Sequence, residues 1–474
     1  MKVDTLIINA DLFTMKGEGV GYVDEGSIAI DRGVIVETGL TEHLLKEYSA
    51  EEVIDATDKM VLPGFVDAHI HTYWGTLRGI SQDSSMWMHK GVGPYKRKLT
   101  NAQRLSGSKM IVLEALAAGT TTFGDYGSPI NDIAAFYSKI GARASLTGMI
   151  KEVPEVLDNL EEGDLYPFDK SIGEQTLKEN LELIEKWHGK HNNRITTLMG
   201  PQGPDFMSVD MLKKVKKIAT QKQLKIHMHV AQASRESKQI LGRYNKRSVA
   251  FLNDLGYLDN SLIAVHLTDA TKEEIKTLVN REVSMTLCSG AIGLIRGIAP
   301  PASEFINEGG TVALGTDQPS GNNCNQIINE MKLTALFNKL KFKSPETMPA
   351  WKVLRMATIE GAKVLGLNNE IGSLEKGKKA DIIFVDLKEK TMQPVIKYPM
   401  RNHVPNLVYS ARGSEIKQVM VNGETLYKNG EFLTVNEDEI VEEAQRMSTE
   451  LTRSISQEAF EKTSNYEFMK SEKL

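Results

Sequence analysis

Eight short apolar runs set the frame for what this chain can fold into. They fall at 61–71, 120–125, 143–149, 195–200, 224–230, 262–267, 283–288 and 312–317. Between most of them lie stretches of helical periodicity, among them 102–118, 208–221 and 272–279. Strand-length runs alternating with helices predict a parallel α/β fold. Eight such repeats over roughly 300 residues fit a (β/α)8 TIM-type barrel. An open doubly wound sheet is the alternative that the pattern alone leaves, but no glycine-rich phosphate loop is placed to support it.

The chain ends have a different character. Short strands with turn signals occupy Thr5 to Ala10, Ser27 to Asp31 and Val34 to Thr38, with Asp31-Arg32-Gly33 as a hairpin turn. A second block of this kind runs through Asp381 to Val385, Ile416 to Val421 and Glu424 to Tyr427, with Asn422-Gly423 as its turn. Two strand-rich blocks bracketing the alternating middle predict one small discontinuous β-sandwich domain built from both ends. The expected division is 1–60 and 367–434 for the β-sandwich, 61–366 for the barrel and 435–474 for a C-terminal helical extension. That extension reads as a helix from Asn436 to about Lys462, capped by Asn436 and Glu439, with Ile440, Val441, Ala444, Met447 and Leu451 on one face.

The formal net charge of −5 argues against nucleic acid or an anionic membrane as the main partner. Two cysteines, Cys288 and Cys324, cannot build a disulfide framework and read as free thiols of a reducing compartment. No run reaches the length of a membrane span, and the charged N-terminal stretch has no secretory pattern. A cytoplasmic protein acting on a small molecule is expected.

The run at 61–71 ends in His69-Ile70-His71, and alternate strand residues share a face, so the two imidazoles project together. His229, His266 and Asp317 end the fifth, sixth and eighth runs. In a barrel, the C-terminal strand ends face the active site. Imidazoles and a carboxylate gathered there suit a divalent cation with a position open for water.

Several stretches together carry a resemblance. PGFVDAHIH (63–71), the run Leu116 to Thr122, LGTD (314–317) and MATIEGAKVLGLNNEIGSLEKGKKADI (356–382) are similar to signatures of the amidohydrolase superfamily, in its cytosine/guanine deaminase and triazine hydrolase branch. The resemblance covers nearly the whole chain, including the bracketing β domain. It implies one divalent metal held by His69, His71, His229 and Asp317, zinc first and ferrous iron as the alternative. Water activated by that metal would attack an sp2 carbon of an N-heterocycle and expel ammonia, an amine or halide. Asp317 would take up the proton, and His266 would stand beside the attacking water and the substrate. A homodimer or higher homo-oligomer is the state the resemblance suggests.

One position departs from the branch. The ligand histidine of the fifth strand is followed there by glutamate in an H-x-x-E pattern, whereas this chain reads His229-Val230-Ala231-Gln232. A carboxamide has no proton to relay near neutral pH, so Gln232 can orient but not shuttle. The substitution favours a substrate whose leaving group departs unaided, such as halide. Glu236, one turn further on, reads as structural rather than as a replacement acid, and His227 as a packing residue deeper in the barrel. Substrate contacts are expected from Trp74 and Trp87 in the loop after the first strand, from Gln202 after the fourth and from Asn322 beyond Asp317. Opening of a cyclic amide or amidine is the rival reaction. A metal-retaining binding protein with little catalysis is the rival class.

Overall fold

A computed structural model describes residues 1–84, 87–155, 164–461 and 463–473 of the chain. Five strands come from the N-terminal end: β1 (Lys2–Phe13), β2 (Tyr22–Asp31), β3 (Val34–Leu40), β4 (Ser49–Asp55) and β5 (Lys59–Pro63). Eight more follow in the middle: β6 (Phe65–Ile70), β7 (Thr120–Gly127), β8 (Arg143–Gly148), β9 (Ile195–Leu198), β10 (Ile226–Val230), β11 (Leu262–His266), β12 (Ser284–Leu287) and β13 (Val312–Leu314). The last four are β14 (Ile382–Asp386), β15 (Ile416–Val421), β16 (Glu424–Lys428) and β17 (Glu431–Phe432).

The middle strands are parallel and form two four-stranded sheets, β6-β7-β8-β9 and β10-β11-β12-β13. Single parallel bridges, Met199 to Ile226 and Ile70 to Asp317, join the sheets at both edges. The helices expected between the runs are present, including Asn101–Ala117, Val209–Lys222 and Lys272–Asn280. Thr100 and Thr271 cap the first and third of these with reciprocal side-chain and backbone hydrogen bonds.

The two chain ends share one nine-stranded sheet, in which β14 pairs antiparallel with β5 and β5 runs parallel to β1. Val61, Ile382, Phe384 and Met420 pack in one core with Ile7, Leu12, Ile28 and Ile30. The run at 61–71, read as a single strand, is therefore two strands in different sheets, parted at Gly64. Both hairpin turns form as expected, with Arg32-Gly33 and Asn422-Gly423 at positive φ. They also meet: a side chain at Gly33 would lie 2.3 Å from the Asn422 carbonyl oxygen.

One buried side chain ties the sheet domain to the parallel strands. Arg143, the first residue of β8, is 0% exposed and grips Asp381 with two hydrogen bonds of 2.7 and 3.1 Å. The same guanidinium donates to Asn422 Oδ1 and to the Asn193 carbonyl. Removing one partner of such a pair strands a buried charge. Arg143→Met is expected to lower unfolding stability by about 3 kcal/mol, and urea denaturation checks this.

The C-terminal helix Glu437–Arg453 starts at the expected cap, where Asn436 Oδ1 accepts from the Glu439 N–H. Its buried residues Ile440, Ala444 and Leu451 face the helix Asn101–Ala117, and Ser448 Oγ donates to the Thr76 carbonyl at 3.1 Å. Val441, placed on this face from sequence, is 44% exposed, because one residue on from Ile440 turns about 100° around the helix. The expected end of this segment, Lys462, lies outside the described residues. No helix among the described residues is long and apolar enough to cross a membrane.

Candidate metal centre

The histidines and Asp317 converge where the parallel strands end. His69 is the fifth residue of β6 and His71 follows its last; His229 lies in β10, and His266 closes β11. Asp317 stands past the end of β13 at φ +60°, a turn conformation in which its N–H donates to the His69 carbonyl and its own carbonyl accepts from the His71 N–H. One ligand atom each from His69, His71 and Asp317 lies within 4.8 Å of the others. The same holds for His69, His229 and His266, and for His266, Cys288 and Asp317. All of these side chains are buried, with His69 and His266 at 0% exposure.

Hydrogen bonds on the outer ring nitrogens fix how the imidazoles face the centre. His71 Nδ1–H donates to the Tyr126 carbonyl at 2.6 Å, and His229 Nδ1–H to the Gln202 carbonyl at 2.7 Å. His69 Nδ1 meets His227 Nε2 at 2.9 Å, and His227 Nδ1 in turn meets Thr147 Oγ1 at 3.1 Å. With protons running from His69 to His227 to Thr147, each of the three inner rings presents a bare Nε2 lone pair inward. His69 Nε2 is buried without a hydrogen-bond partner, 3.7 Å from Asp317 Oδ1. His71 Nε2 lies 3.5 Å from the same oxygen. An orphaned buried acceptor beside a carboxylate fits a cation between them.

Burial holds these rings neutral. It lowers His71 to about 4, His227 and His266 to about 3, and His69 and His229 well below the usual histidine range. Neutral imidazole is the form that binds metal. His266 is set apart: neither of its ring nitrogens has a partner, and Nε2 stands 3.9 Å from Asp317 Oδ2. It is therefore free to contact whatever occupies the space in front of Asp317. Cys288 is buried, and burial first, then Asp317, pushes its thiol well above the usual value, which removes it as a nucleophile.

His227 was expected to pack deep in the barrel, and it does; it also orients His69, a role that its two-residue offset from His229 does not reveal. Partners that orient ligand histidines typically support metal affinity by 10–100-fold. His227→Phe is expected to weaken zinc binding by about that factor while the fold persists, as competitive chelator titration would show.

Gln232 sits at the N-terminus of the helix Ala233–Tyr244, and its Oε1 accepts from Arg235 Nη2 at 3.3 Å. Glu236 takes the backbone N–H groups of Ala231 and Gln232, each at 2.8 Å, so it caps this helix, consistent with the structural role expected of it. Trp74 and Trp87 stack on each other with ring centroids 5.9 Å apart. The Trp87 indole N–H donates to the Ser320 carbonyl, whereas Trp74 Nε1 has no partner. Asn322 spends its amide N–H groups on the Thr316 carbonyl and on Glu330, which holds the turn after Asp317. For Gln202 it is the main-chain carbonyl that touches His229, and the side-chain Oε1 is buried without a partner.

Some residues around the centre escaped the sequence. Asp67 accepts from the Thr316 N–H and hydroxyl and from the His69 N–H, bracing two ligand-bearing segments together. Its signal was available, since Asp67, His69 and His71 alternate on one strand face. Asp205 and Arg235 had none beyond their closeness to Gln202 and Gln232.

A parallel β/α body with such a centre is the architecture of metal-assisted hydrolases. Residues 60–426 match the amidohydrolase family, and the chain belongs to that family of hydrolases. It is 33% identical over 457 residues to the 5'-deoxyadenosine deaminase of Methanosarcina mazei, covering 95% of this chain and 99% of that protein. It is 34% identical over 439 residues to the 5-methylthioadenosine/S-adenosylhomocysteine deaminase of Moorella thermoacetica, covering 92% and 96%. In fold it resembles a zinc-bound adenosine deaminase from Xanthomonas campestris (TM-score 0.87, 24% identity, 95% of this chain and 99% of that one). It also resembles the zinc complex of atrazine chlorohydrolase from Arthrobacter aurescens (TM-score 0.83, 21% identity, 94% and 100%). The fold is thus a TIM barrel with a second domain.

Proposed function

We propose that this protein is a zinc-dependent hydrolase that displaces an exocyclic group from an sp2 carbon of an N-heterocycle, releasing ammonia in its principal reaction. The observation that carries the proposal is a pair of buried clusters sharing His69, one with His71 and Asp317 and one with His229 and His266, the last without a hydrogen-bond partner. His69, His71, His229 and Asp317 would hold one zinc ion, with ferrous iron the alternative. A bound divalent ion supplies Lewis-acid polarisation and a water acidified toward a pKa of about 7. Asp317 would take the proton of the attacking water and return it to a departing amine, and His266 would hydrogen-bond the oxygen or ring nitrogen on which charge builds up. Trp74 and Trp87, stacked on each other, are the aromatic pair we assign to contact with a planar ring. The relatives named as deaminases support ammonia as the leaving group. In architecture, we read the two four-stranded sheets as one closed (β/α)8 barrel spanning 61–366. The β-sandwich comprises 1–60 and 367–434, and the helical extension 435–474.

Gln232 supports a second reading. Without a proton relay at that position, a chloro-substituted ring is the easier substrate, because chloride leaves unprotonated. Zinc-loaded protein incubated with paired amino- and chloro-substituted purines, pyrimidines and triazines, and assayed for ammonia and chloride, decides between the two. Release of neither, with zinc bound, would refute both.

A further inference from the structure

The end of β7 grips the chain around one of the candidate ligands. Three consecutive residues of that strand meet three consecutive residues that follow β6. The Tyr126 carbonyl accepts from the His71 ring Nδ1–H at 2.6 Å. The Asp125 carboxylate accepts from Thr72 twice, from its N–H at Oδ1 (3.3 Å) and from its hydroxyl at Oδ2 (2.6 Å). Gly127 makes room for Tyr73, whose ring an added side chain would meet at 2.4 Å. Asp125 and Thr72 are both 0% exposed, which shields their hydrogen bonds from bulk water. A buried carboxylate needs such donors, and Tyr137 supplies a third, donating to Oδ2 at 3.0 Å from the helix Ile130–Ile140. Burial raises the Asp125 carboxyl to about 6, against the pull of the Thr72 hydroxyl and N–H and of Tyr137. It is therefore charged at neutral pH and accepts on both oxygens.

We propose that Asp125 is a positioning residue for the metal centre: by holding Thr72 it fixes the main chain at His71 and so sets where the His71 Nε2 lone pair points. The inference rests on the reading of His71 as a ligand and deepens it. On one side, the His71 N–H is tied to the Asp317 carbonyl at 3.2 Å. On the other side, the nearest tie to another strand is the one that Asp125 makes to Thr72. The ring bond to Tyr126 can aim the imidazole only as well as the backbone beneath it is held. Asp125 thus acts through Thr72 rather than by touching the ion. Thr72 also opens the turn Thr72–Leu77, which carries Tyr73 and Trp74, so the same carboxylate roots the aromatic loop.

The test reads zinc Kd in the full-length protein by competitive chelator titration, with urea denaturation as the control for folding. The visible absorption of cobalt-loaded protein reports the geometry around the ion. Asp125→Ala is expected to weaken zinc by about 10–100-fold, the range for groups that orient ligand histidines, and to change the cobalt spectrum. Asp125→Asn keeps an acceptor for the Thr72 N–H and should recover affinity to within about 3-fold of wild type. Thr72→Val, which loses only the hydroxyl, should cost at least about 3-fold, and it decides the matter if Asp125→Ala fails to fold. Added to Asp125→Ala, it should cost less than about 2-fold more, because the two act in series. Tyr137→Phe removes a bond to the same carboxylate on the side away from Thr72 and should change Kd by less than about 2-fold. Unchanged affinity in folded Asp125→Ala and Thr72→Val, additive losses in the double variant, or an equal loss in Tyr137→Phe would overturn the proposal. In each of those cases zinc bound by the wild-type protein leaves the reading of the centre standing, whereas a wild-type protein that binds no zinc would remove both.

Discussion

Asp317→Asn is expected to leave the protein folded, empty of metal and inactive. The carboxylate lies 3.5–3.9 Å from the nearest ring nitrogens of His69, His71 and His266. Replacing it with an amide leaves neutral imidazoles to hold a doubly charged ion in a buried site, without the charge that offsets its desolvation. It also removes the acceptor for the proton of the attacking water. Without the ion, water reverts from a pKa of about 7 to its bulk acidity, so the rate should fall by at least about 10⁴-fold. His229→Ala should behave similarly, because it removes another candidate ligand while the main-chain pairing of β10 with β11 does not involve the ring. The measurements are elemental analysis after gel filtration, with far-ultraviolet circular dichroism as the control for folding. Stoichiometric zinc retained in both variants would show that the ion sits elsewhere.

Gln232→Glu is expected to raise ammonia release by about 10²-fold or more and to leave chloride release within about 3-fold. The range follows from the value of general acid catalysis, about 10²–10⁴ where the leaving group needs a proton. Arg235 pulls the expectation toward the lower end. Its guanidinium already contacts Gln232 Oε1 at 3.3 Å, and a carboxylate there would be held in its charged form, a poorer proton donor. The double variant Gln232→Glu/Arg235→Leu should therefore exceed the single one on amino substrates. Equal gains for ammonia and chloride, or none for either, would mean that position 232 lies off the proton's route.

Where sequence foresaw the centre, it did so through strand ends. His69, His229, His266 and Asp317 each follow a short apolar run, and in a parallel sheet all strand ends of one polarity collect on one side. Alternation along 67–71 likewise puts His69 and His71 on one face. The join between the domains was less legible. Pro63-Gly64 marks a break within the stretch from Val61 to Ile70, but the segments on either side are alike in composition, so nothing local shows that they enter different sheets. Arg143 was equally silent, since its partner Asp381 is more than two hundred residues away.

The sequence alone determined the class of fold and pointed to the histidines and Asp317 as candidate metal ligands, because period and strand polarity are local properties. Tertiary structure alone decided which way each imidazole faces, that His227 steers His69 rather than merely packing, and that Asp205 is buried with Arg235 as its ion-pair partner. Those facts are distances between groups remote along the chain, and no local pattern encodes them.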